Sequence, residues 1–583
     1  MPKALVITEK PSVARDIAAA LGGMREEEGY FEGDDMVVTF AVGHLFELLE
    51  PQEVDERFKA WTLEVLPILP ERFQVKKKKG QSERIRVIKK LLERDDVDRV
   101  INACDAGREG ELIFREIVEF LGNEKPTFRL WLQSMTRDSI RRGFSELRPG
   151  EELEGLADAA KCRAHADWLI GMNATRALTK RLKSRKERTA WSAGRVQTPT
   201  LALLVERERE VLAHVPVPFY RITADFVHDG NPYSGTYFDP SFRADDDDRR
   251  KDDRIFEEAR AQAIVEAVRG RTGVAEETRK PSRETPPPLF DLTSLQREGN
   301  RRFGWSARRV LGAAQRCYEA HKLLTYPRTD SRCLPNDYRQ TVDELLQSFA
   351  AMGEPCADYA AGAQRLIENG LQNDARVFND AGVSDHFAII PTGNPPPESL
   401  SGDDRRLYDL VTRRFLATFH PPARWERVER ITRVEDHAFR TRARALKEPG
   451  WRACLAQSDE DEAATVLPPL REGDDAAKGV AVDGGEVELH AEETRPPARL
   501  SEARLLGLME NAGRTVEDEE IAEVMRGTGL GTPATRAEVI ENLITKGYAV
   551  RQGKSLRPSV KGIRLIDTLE RIQIDRLASA RLT

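Results

Sequence analysis

The amino-acid sequence predicts a multidomain chain, an N-terminal α/β unit followed by mainly α and mainly β segments. Three observations predict it. Short apolar runs feed helix-like segments repeatedly in the first 125 residues; strand-like alternation at 216–280 returns at 420–490 after a helical stretch; and Pro286-Pro287-Pro288 marks a break between the two patterns. A length of 583 residues at 40% hydrophobic content allows several cores, and ordinary domain sizes suggest roughly three to five domains.

In chain order, 4–8 reads as a short apolar strand. Pro11-Ser12 opens a helix over 13–21 and Gly22-Gly23 closes it, with proline at the start and glycine after the end. Residues 37–42 form a second strand ending at Gly43-His44, and 97–104 a third that runs into a helix over 110–121. Strands that feed helices in this way build a mostly parallel sheet, whose ligands gather beyond the carboxyl ends of its strands. Residues 151–213 read as helical. Strands follow over 216–280, where Tyr220 to Phe226 alternate, then helices over 292–393. Strands return over 420–490 with acidic loops, and from Ser501 the pattern is helical. A strand region split by a helical insert implies a discontinuous domain, and there is no internal repeat.

The net charge of −7 argues weakly against a nucleic-acid partner, but binding depends on where the basic groups sit. Asp245-Asp246-Asp247-Asp248 and Asp459-Glu460-Asp461-Glu462 read as solvated loop runs, leaving basic stretches such as Lys76-Lys77-Lys78-Lys79. None of the six cysteines forms a Cys-x-x-Cys pair, so free thiols are expected and a zinc ribbon is not. No apolar run is long enough to cross a bilayer, and the start of the chain reads as a strand, not a signal peptide. A soluble, cytoplasmic protein is expected.

Five constellations carry chemistry. Glu9-Lys10 follows the first strand, and Asp105-Ala106-Gly107-Arg108-Glu109-Gly110-Glu111 follows another and opens a helix, so both fall at one edge of the sheet. Carboxylates gathered there can hold Mg²⁺ and leave positions for phosphate oxygens, although either acid alone is more often a cap in a solvated turn. The second block is Leu324-Thr325-Tyr326-Pro327-Arg328-Thr329-Asp330-Ser331. A phenol of pKa near ~10 is a poor nucleophile until a cation or base assists it. Arg328 is spaced to put positive charge on an attacked phosphate, while a Tyr-Pro pair alone is ordinarily a turn. In Ser384-Asp385-His386-Phe387-Ala388-Ile389-Ile390-Pro391-Thr392, the lone His386 is by itself more often structural. In Ser192-Ala193-Gly194-Arg195-Val196-Gln197-Thr198-Pro199, small residues let a phosphate backbone approach Arg195 and Gln197, against the plain reading of a capping turn. Gly529-Leu530-Gly531-Thr532-Pro533-Ala534-Thr535-Arg536 precedes a helix over 537–545 and can present amides and hydroxyls to phosphate. Gly553-Lys554-Ser555 mimics the end of a P-loop, but Tyr548 stands where the spacing demands glycine, and the segment sits between apparent strands with no helix following, so no nucleoside-triphosphate site is expected.

Taken together and in order, these blocks resemble the type IA DNA topoisomerases, nearest the bacterial topoisomerase III branch, over residues 3–561. The tyrosine block and the Ser-Ala-Gly-Arg-Val-Gln block are the specific ones; the acidic block is shared with other Toprim proteins. The resemblance implies an N-terminal Toprim (Rossmann-like) domain in a toroidal architecture. It divides the chain into a Toprim domain at 1–150, a helical DNA-binding domain at 151–215 and 496–583, a strand-rich gate or hinge domain at 216–285 and 406–495, and a helical domain carrying the tyrosine at 286–405. It implies an ATP-independent isomerase: Tyr326 attacks a phosphate of a single-stranded segment of duplex DNA and forms a 5′-phosphotyrosine. A strand passes and the 3′-hydroxyl attacks back, which relaxes negative supercoils or decatenates DNA.

By the same resemblance Arg328, Lys10 and His386 contact the attacked phosphate. Glu9 stands beside the leaving 3′-oxygen and, with Asp105 and Glu109, near Mg²⁺. Ser192, Arg195, Gln197, Arg163, Asp167, Thr535 and His44 line the single-strand path. Mg²⁺ is the implied cofactor, without zinc, and a monomer the implied state. Two departures stand out. The family's Asp-x-Asp is Asp105-Ala106-Gly107 here, so one metal ligand is missing, with Glu111 or water as the expected substitute. The chain also stops at Thr583, where relatives continue into zinc-binding or basic tails, which implies weaker DNA holding. The alternatives are a different Toprim enzyme, a primase or nuclease that needs the acidic site without Tyr326, and a single-strand binder that has lost catalysis.

Overall fold

A computed structural model describes residues 2–244, 247, 249–353, 356–400, 402–455, 467–470, 479–512 and 529–580. Most of the two acidic runs, including all of 459–462, lies outside the described residues.

The N-terminal sheet has seven strands in the order Arg25–Glu27, Tyr30–Glu32, Met36–Phe40, Lys3–Thr8, Val97–Ala103, Thr127–Arg129 and Arg148–Pro149. Lys3–Thr8 pairs in parallel with both neighbours, and the outer strands run antiparallel. Its residues alternate between two cores. Leu5 and Ile7 pack with Ile88, Ile113 and Phe114 on one face, while Ala4 and Val6 pack with Ala14, Ile17 and Ile140 on the other. A strand covered by helices on both faces must be apolar at nearly every position, which is why it reads as an unbroken apolar run. Its helix, Pro11–Leu21, ends at Gly22 with φ 73°, a conformation that glycine reaches without strain.

Six strands close a barrel in the order Pro218–His228, Asn231–Phe238, His437–Glu448, Ala423–Val434, Gly273–Glu284 and Val480–Glu493. Closure leaves no edge to pair with another chain. The stretch between its two halves carries the helices Leu292–Phe303, Ala307–Glu319, Arg339–Ala350, Ala357–Asn369 and Gly402–Thr418 around one core that includes Leu295, Phe349 and Phe415. Another helical body joins Glu154–Leu182 and Gln197–Ala213 to Glu502–Glu510, Pro533–Thr545 and Val560–Arg571. Its core is shared by Leu204, Leu505, Ile540 and Leu565.

The structure differs from the sequence reading in three places. A helix, Glu258–Val268, sits inside the region read as strands; it is rich in helix formers and buries Ala261, Ile264 and Val265 against the barrel. A hairpin, Ala549–Gln552 with Ser555–Pro558, interrupts the last helical region and supplies the strands expected on either side of Gly553, which turns it at φ 59°. That turn holds the Gly553-Lys554-Ser555 mimic. Third, the blocks around Tyr326 and His386 are extended, not helical, and are joined by a bridge between Leu324 and Pro391.

Candidate active site

Parallel pairing puts Thr8 opposite Ala103, so the residues that follow them, Glu9-Lys10 and Asp105, emerge at the same edge. The turn at Asp105 is held from below. The buried Arg129 guanidinium donates to the carbonyls of Asn102 at 3.0 Å, Cys104 at 2.7 Å and Asp105 at 2.5 Å. Gly110, in the first turn of the helix Arg108–Phe120, lets the backbone close tightly, since a Cβ there would collide with the Asp105 carbonyl. The Lys10 ammonium bonds Asp105 Oδ2 and lies 3.1 Å from Glu9 Oε1.

Two extended segments bring the tyrosine to this edge. Thr325 donates its N–H to Ile390 at 2.9 Å and accepts from the Ile390 N–H through Oγ1 at 2.9 Å, while Thr329 Oγ1 donates to the His386 carbonyl at 2.8 Å. Tyr326 is thereby placed with Lys10 Nζ 4.4 Å from its ring centroid and the His386 ring 4.4 Å away. His386 Nε2 lies 2.9 Å from Asp105 Oδ2. Tyr318 packs edge-on against Tyr326 at 5.4 Å, and its hydroxyl lies 3.2 Å from Ser12 Oγ.

The charges are strongly differentiated. Burial and the Asp105 charge raise the Glu9 carboxyl, with Lys10 pulling the other way. Burial also disfavours the Asp105 carboxylate, but His386 and Lys10 outweigh it and hold Asp105 well below the ordinary carboxylate range. Two carboxyls side by side are thus driven apart, one towards keeping a proton and one towards losing it, the usual mark of divided acid and base roles. Burial raises the Tyr326 phenol, and Lys10 and Arg328 partly offset that.

A cavity of about 950 Å³ lies in front of these groups, and its wall includes Glu9, His44, Glu109, Arg163, Tyr326 and Arg328. Glu109 is turned to other partners than Glu9 and Asp105: second residue of its helix, it faces Arg163 Nη1 at 2.9 Å and His44 Nε2 at 3.5 Å. Bonds to Glu109 and Glu116 push His44 up to about 9. The remaining predicted residues form a second group on the helical body. Gln197 Nε2 donates to Ser192 O and Oγ, both at 3.1 Å, and Gln197 Oε1 accepts from Lys546 Nζ at 3.1 Å. Arg195 Nη1 donates to Asp167 Oδ1 at 3.0 Å. Thr535 caps its own helix with Thr532, and the turn at Gly531 packs it beside Val196.

Glu111 is not a substitute ligand. It is buried and bound to Arg115 at 2.8 Å and to the Asn102 amide at 2.8 Å. Among the described residues no three acidic, cysteine or histidine side chains converge as a ready-made metal cluster. The donors at the edge are nevertheless carboxylate oxygens facing an open cavity, and Mg²⁺ commonly takes only one or two carboxylates with water and substrate phosphate. The residues fit such an ion.

Sequence reasoning gave no role to Tyr318 or Arg129, whose signals are purely spatial, or to Asp385. The Asp385 carboxyl opens to the cavity and is pushed up to about 6 by burial, with Asp330 and Asp105 raising it and His386 lowering it.

Comparison with known proteins bears on the whole chain. A Toprim domain profile matches residues 4–135, which other Toprim enzymes would share, but the profile described as DNA topoisomerase matches 151–583. The chain belongs to the type IA DNA topoisomerase family. It is 40% identical to DNA topoisomerase 3 of Shouchella clausii over 561 residues, 95% of this chain and 73% of that protein. It is 38% identical to DNA topoisomerase 3 of Bacillus subtilis over 576 residues, 97% and 75% of the two chains. Full-length topoisomerase I from Thermotoga maritima has the same fold, with a TM-score of 0.67 at 22% identity, covering 99% of this chain and 84% of that one. Type IA topoisomerases are isomerases that cut one DNA strand transiently without ATP, and the Toprim domain generally binds Mg²⁺. Among the described residues no helix is long and apolar enough to cross a membrane.

Proposed function

We propose that Tyr326 is the nucleophile of this topoisomerase and that Glu9, Lys10, Arg328 and His386 serve the phosphate it attacks. One observation carries the reading: the Tyr326 ring stands between the Lys10 ammonium and the His386 ring at the edge where Glu9 and Asp105 emerge. The phenolic oxygen passes its proton to water in the open cavity and forms a bond to phosphorus, and the bond from phosphorus to the 3′-oxygen breaks. The leaving oxygen takes a proton from Glu9, where burial and the Asp105 charge favour the protonated carboxyl. Religation reverses each transfer, so one phosphodiester replaces another and no nucleotide is consumed. Lys10 and Arg328 place positive charge where the phosphoryl oxygens gain negative charge. Mg²⁺, held at Asp105 with Glu9 as its neighbour, would supply further charge to the phosphate.

The single strand runs from the cavity along the helix Glu154–Leu182 to the second group. Arg163 and Asp167 share one face of that helix, and their ion pairs link Glu109, Arg163, Asp167 and Arg195 in a row. Such exposed pairs are worth little, so strand phosphates can displace the acids. Polar contacts join the tyrosine-bearing segment to the Toprim domain. Ser134 and Thr136 donate to Asp337 at 2.8 and 2.7 Å, and Gln133 donates to the carbonyls of Val383 and Ser384 at 2.7 and 3.1 Å. The two sides have separate apolar cores, so they can part for strand passage without opening either. Single-stranded segments of duplex DNA are the substrate, a monomer the working unit and the cytoplasm the location; relaxation and decatenation both follow from the same cycle.

The test is an end-labelled single-stranded oligonucleotide quenched with detergent. Wild type should give a covalent adduct and Tyr326→Phe none, with binding of the oligonucleotide retained. Adduct from Tyr326→Phe would show the nucleophile to be misassigned, and free cleaved DNA without adduct would favour a nuclease.

A further inference from the structure

Gly107 heads the helix Arg108–Phe120, and the space beside it is already filled. A Cβ at Gly107 would stand well under 3.0 Å from both carboxylate oxygens of Asp385, closer than real Cβ atoms come. This carboxylate reaches the Toprim edge from the tyrosine-bearing side. Its backbone is fixed on either hand: the Ser384 carbonyl accepts from Gln133, and the His386 carbonyl accepts from Thr329. Asp105 is bound by Lys10 and His386, and Glu109 by Arg163 and His44, but no hydrogen bond or ion pair among the described residues holds the Asp385 carboxylate. An exposed carboxylate is thus set beside the backbone two residues from Asp105, on the wall of the cavity that Tyr326 faces, with positive charge from His386 and Arg108 acting on it but no ion pair closed.

We propose that Asp385 supplies, from across the domain interface, the second carboxylate of the Mg²⁺ site, in the space that glycine at position 107 leaves open. The proposal rests on the metal part of the function given above. A pair of carboxylates with the other positions left to water and phosphate is the common Mg²⁺ arrangement. Here the pair is split: Asp105 belongs to the Toprim sheet and Asp385 to the segment that carries the nucleophile. The donor set is complete only while the two are together. The metal then favours the closed enzyme, and by the reciprocity of linkage, opening the gate weakens metal binding.

The experiment uses the full chain with Mn²⁺ as a paramagnetic probe, its free fraction read by electron paramagnetic resonance without DNA. Asp385→Asn should weaken Mn²⁺ binding roughly tenfold or more, on the scale at which losing a metal-site partner is felt. Gly107→Asp alone should also lose affinity, because its side chain meets Asp385. Gly107→Asp combined with Asp385→Ala should regain most of what Asp385→Ala loses, since the carboxylate is then delivered from the other side of the same space. Unchanged affinity in Asp385→Asn, no recovery in the double variant, or no Mn²⁺ binding by wild type would each overturn the proposal. Covalent adduct formed by wild type beside an unaltered Mn²⁺ affinity in Asp385→Asn would sink this ligand and leave the assignment of Tyr326 standing.

Discussion

Replacing Lys10 by methionine removes a single charge from the centre of the site and keeps most of the side chain's bulk. The Lys10 side chain is only 17% exposed, so water screens it poorly. At 4.4 Å from the Tyr326 centroid, an effective dielectric of ~20 gives about 4 kcal/mol between the ammonium and a phenolate charge. The charge that develops is shared with the phosphoryl oxygens, and water enters the vacated space. About 3 kcal/mol therefore reaches the barrier, a rate lower by ~10²-fold. Strand binding loses at most one phosphate contact, which lowers the salt slope by ~1. Single-turnover cleavage of an end-labelled oligonucleotide, with affinity measured by anisotropy at the same salt, separates the two effects. Cleavage slowed by less than tenfold, about 1.4 kcal/mol, would refute the electrostatic argument. An affinity loss as large as the rate loss would mean that Lys10 holds DNA and does not stabilise the transition state.

Three further outcomes are expected. His44 is held charged up to about 9 by Glu109 and Glu116, above its ordinary 6.5. Its stabilisation is thus fully present below pH 6.5 and lost as pH rises through about 9, and the Tm gap between wild type and His44→Gln should close across that window. Gly110→Ala drives a Cβ into the Asp105 carbonyl. It should cost about 1–3 kcal/mol and slow cleavage by shifting Asp105; an unchanged Tm with unchanged cleavage would show that the turn relaxes freely. In the barrel, Arg430 bonds Glu277 at 2.9 and 2.6 Å with both side chains buried. Arg430→Met should therefore cost about 3 kcal/mol, and the double variant with Glu277→Gln should recover part of it, as the shift in urea midpoint would show.

The parts of the molecule legible in the sequence are those set by local pattern. The strand Lys3–Thr8 and the helix after it announce themselves through an apolar run, Pro11 and Gly22, and parallel pairing then places Glu9 and Asp105 at one edge. The meeting of Tyr326 with His386 is not local. It depends on the bridge from Leu324 to Pro391, and nothing in either block specifies its partner. Glu109 shows a different limit: counted with the acids by proximity in sequence, it is carried by helical phase to face Arg163 and His44. Glu111, two residues further along the same helix, is carried into the interior. Asp385 acquires meaning only through the gap beside Gly107, a relation between two residues far apart in the chain.

The insert that carries Tyr326 enters and leaves the barrel at one point, because Glu284 is the register partner of Ala423 across two antiparallel strands. The whole insert therefore hangs from a single two-stranded strap. Pro286-Pro287-Pro288 stiffens one leg of it. At the root, the Glu284 carboxylate accepts from Trp425 at 2.7 Å and from Arg452 at 3.1 Å, and its carbonyl accepts from Trp451 at 3.0 Å. A load pulling the insert outward along the strands is then borne by both legs side by side, and in shear against the barrel strand His437–Glu448 that flanks one of them. Shear must break many backbone bonds together where peeling would break them one at a time, so the barrel is a firm root for the insert.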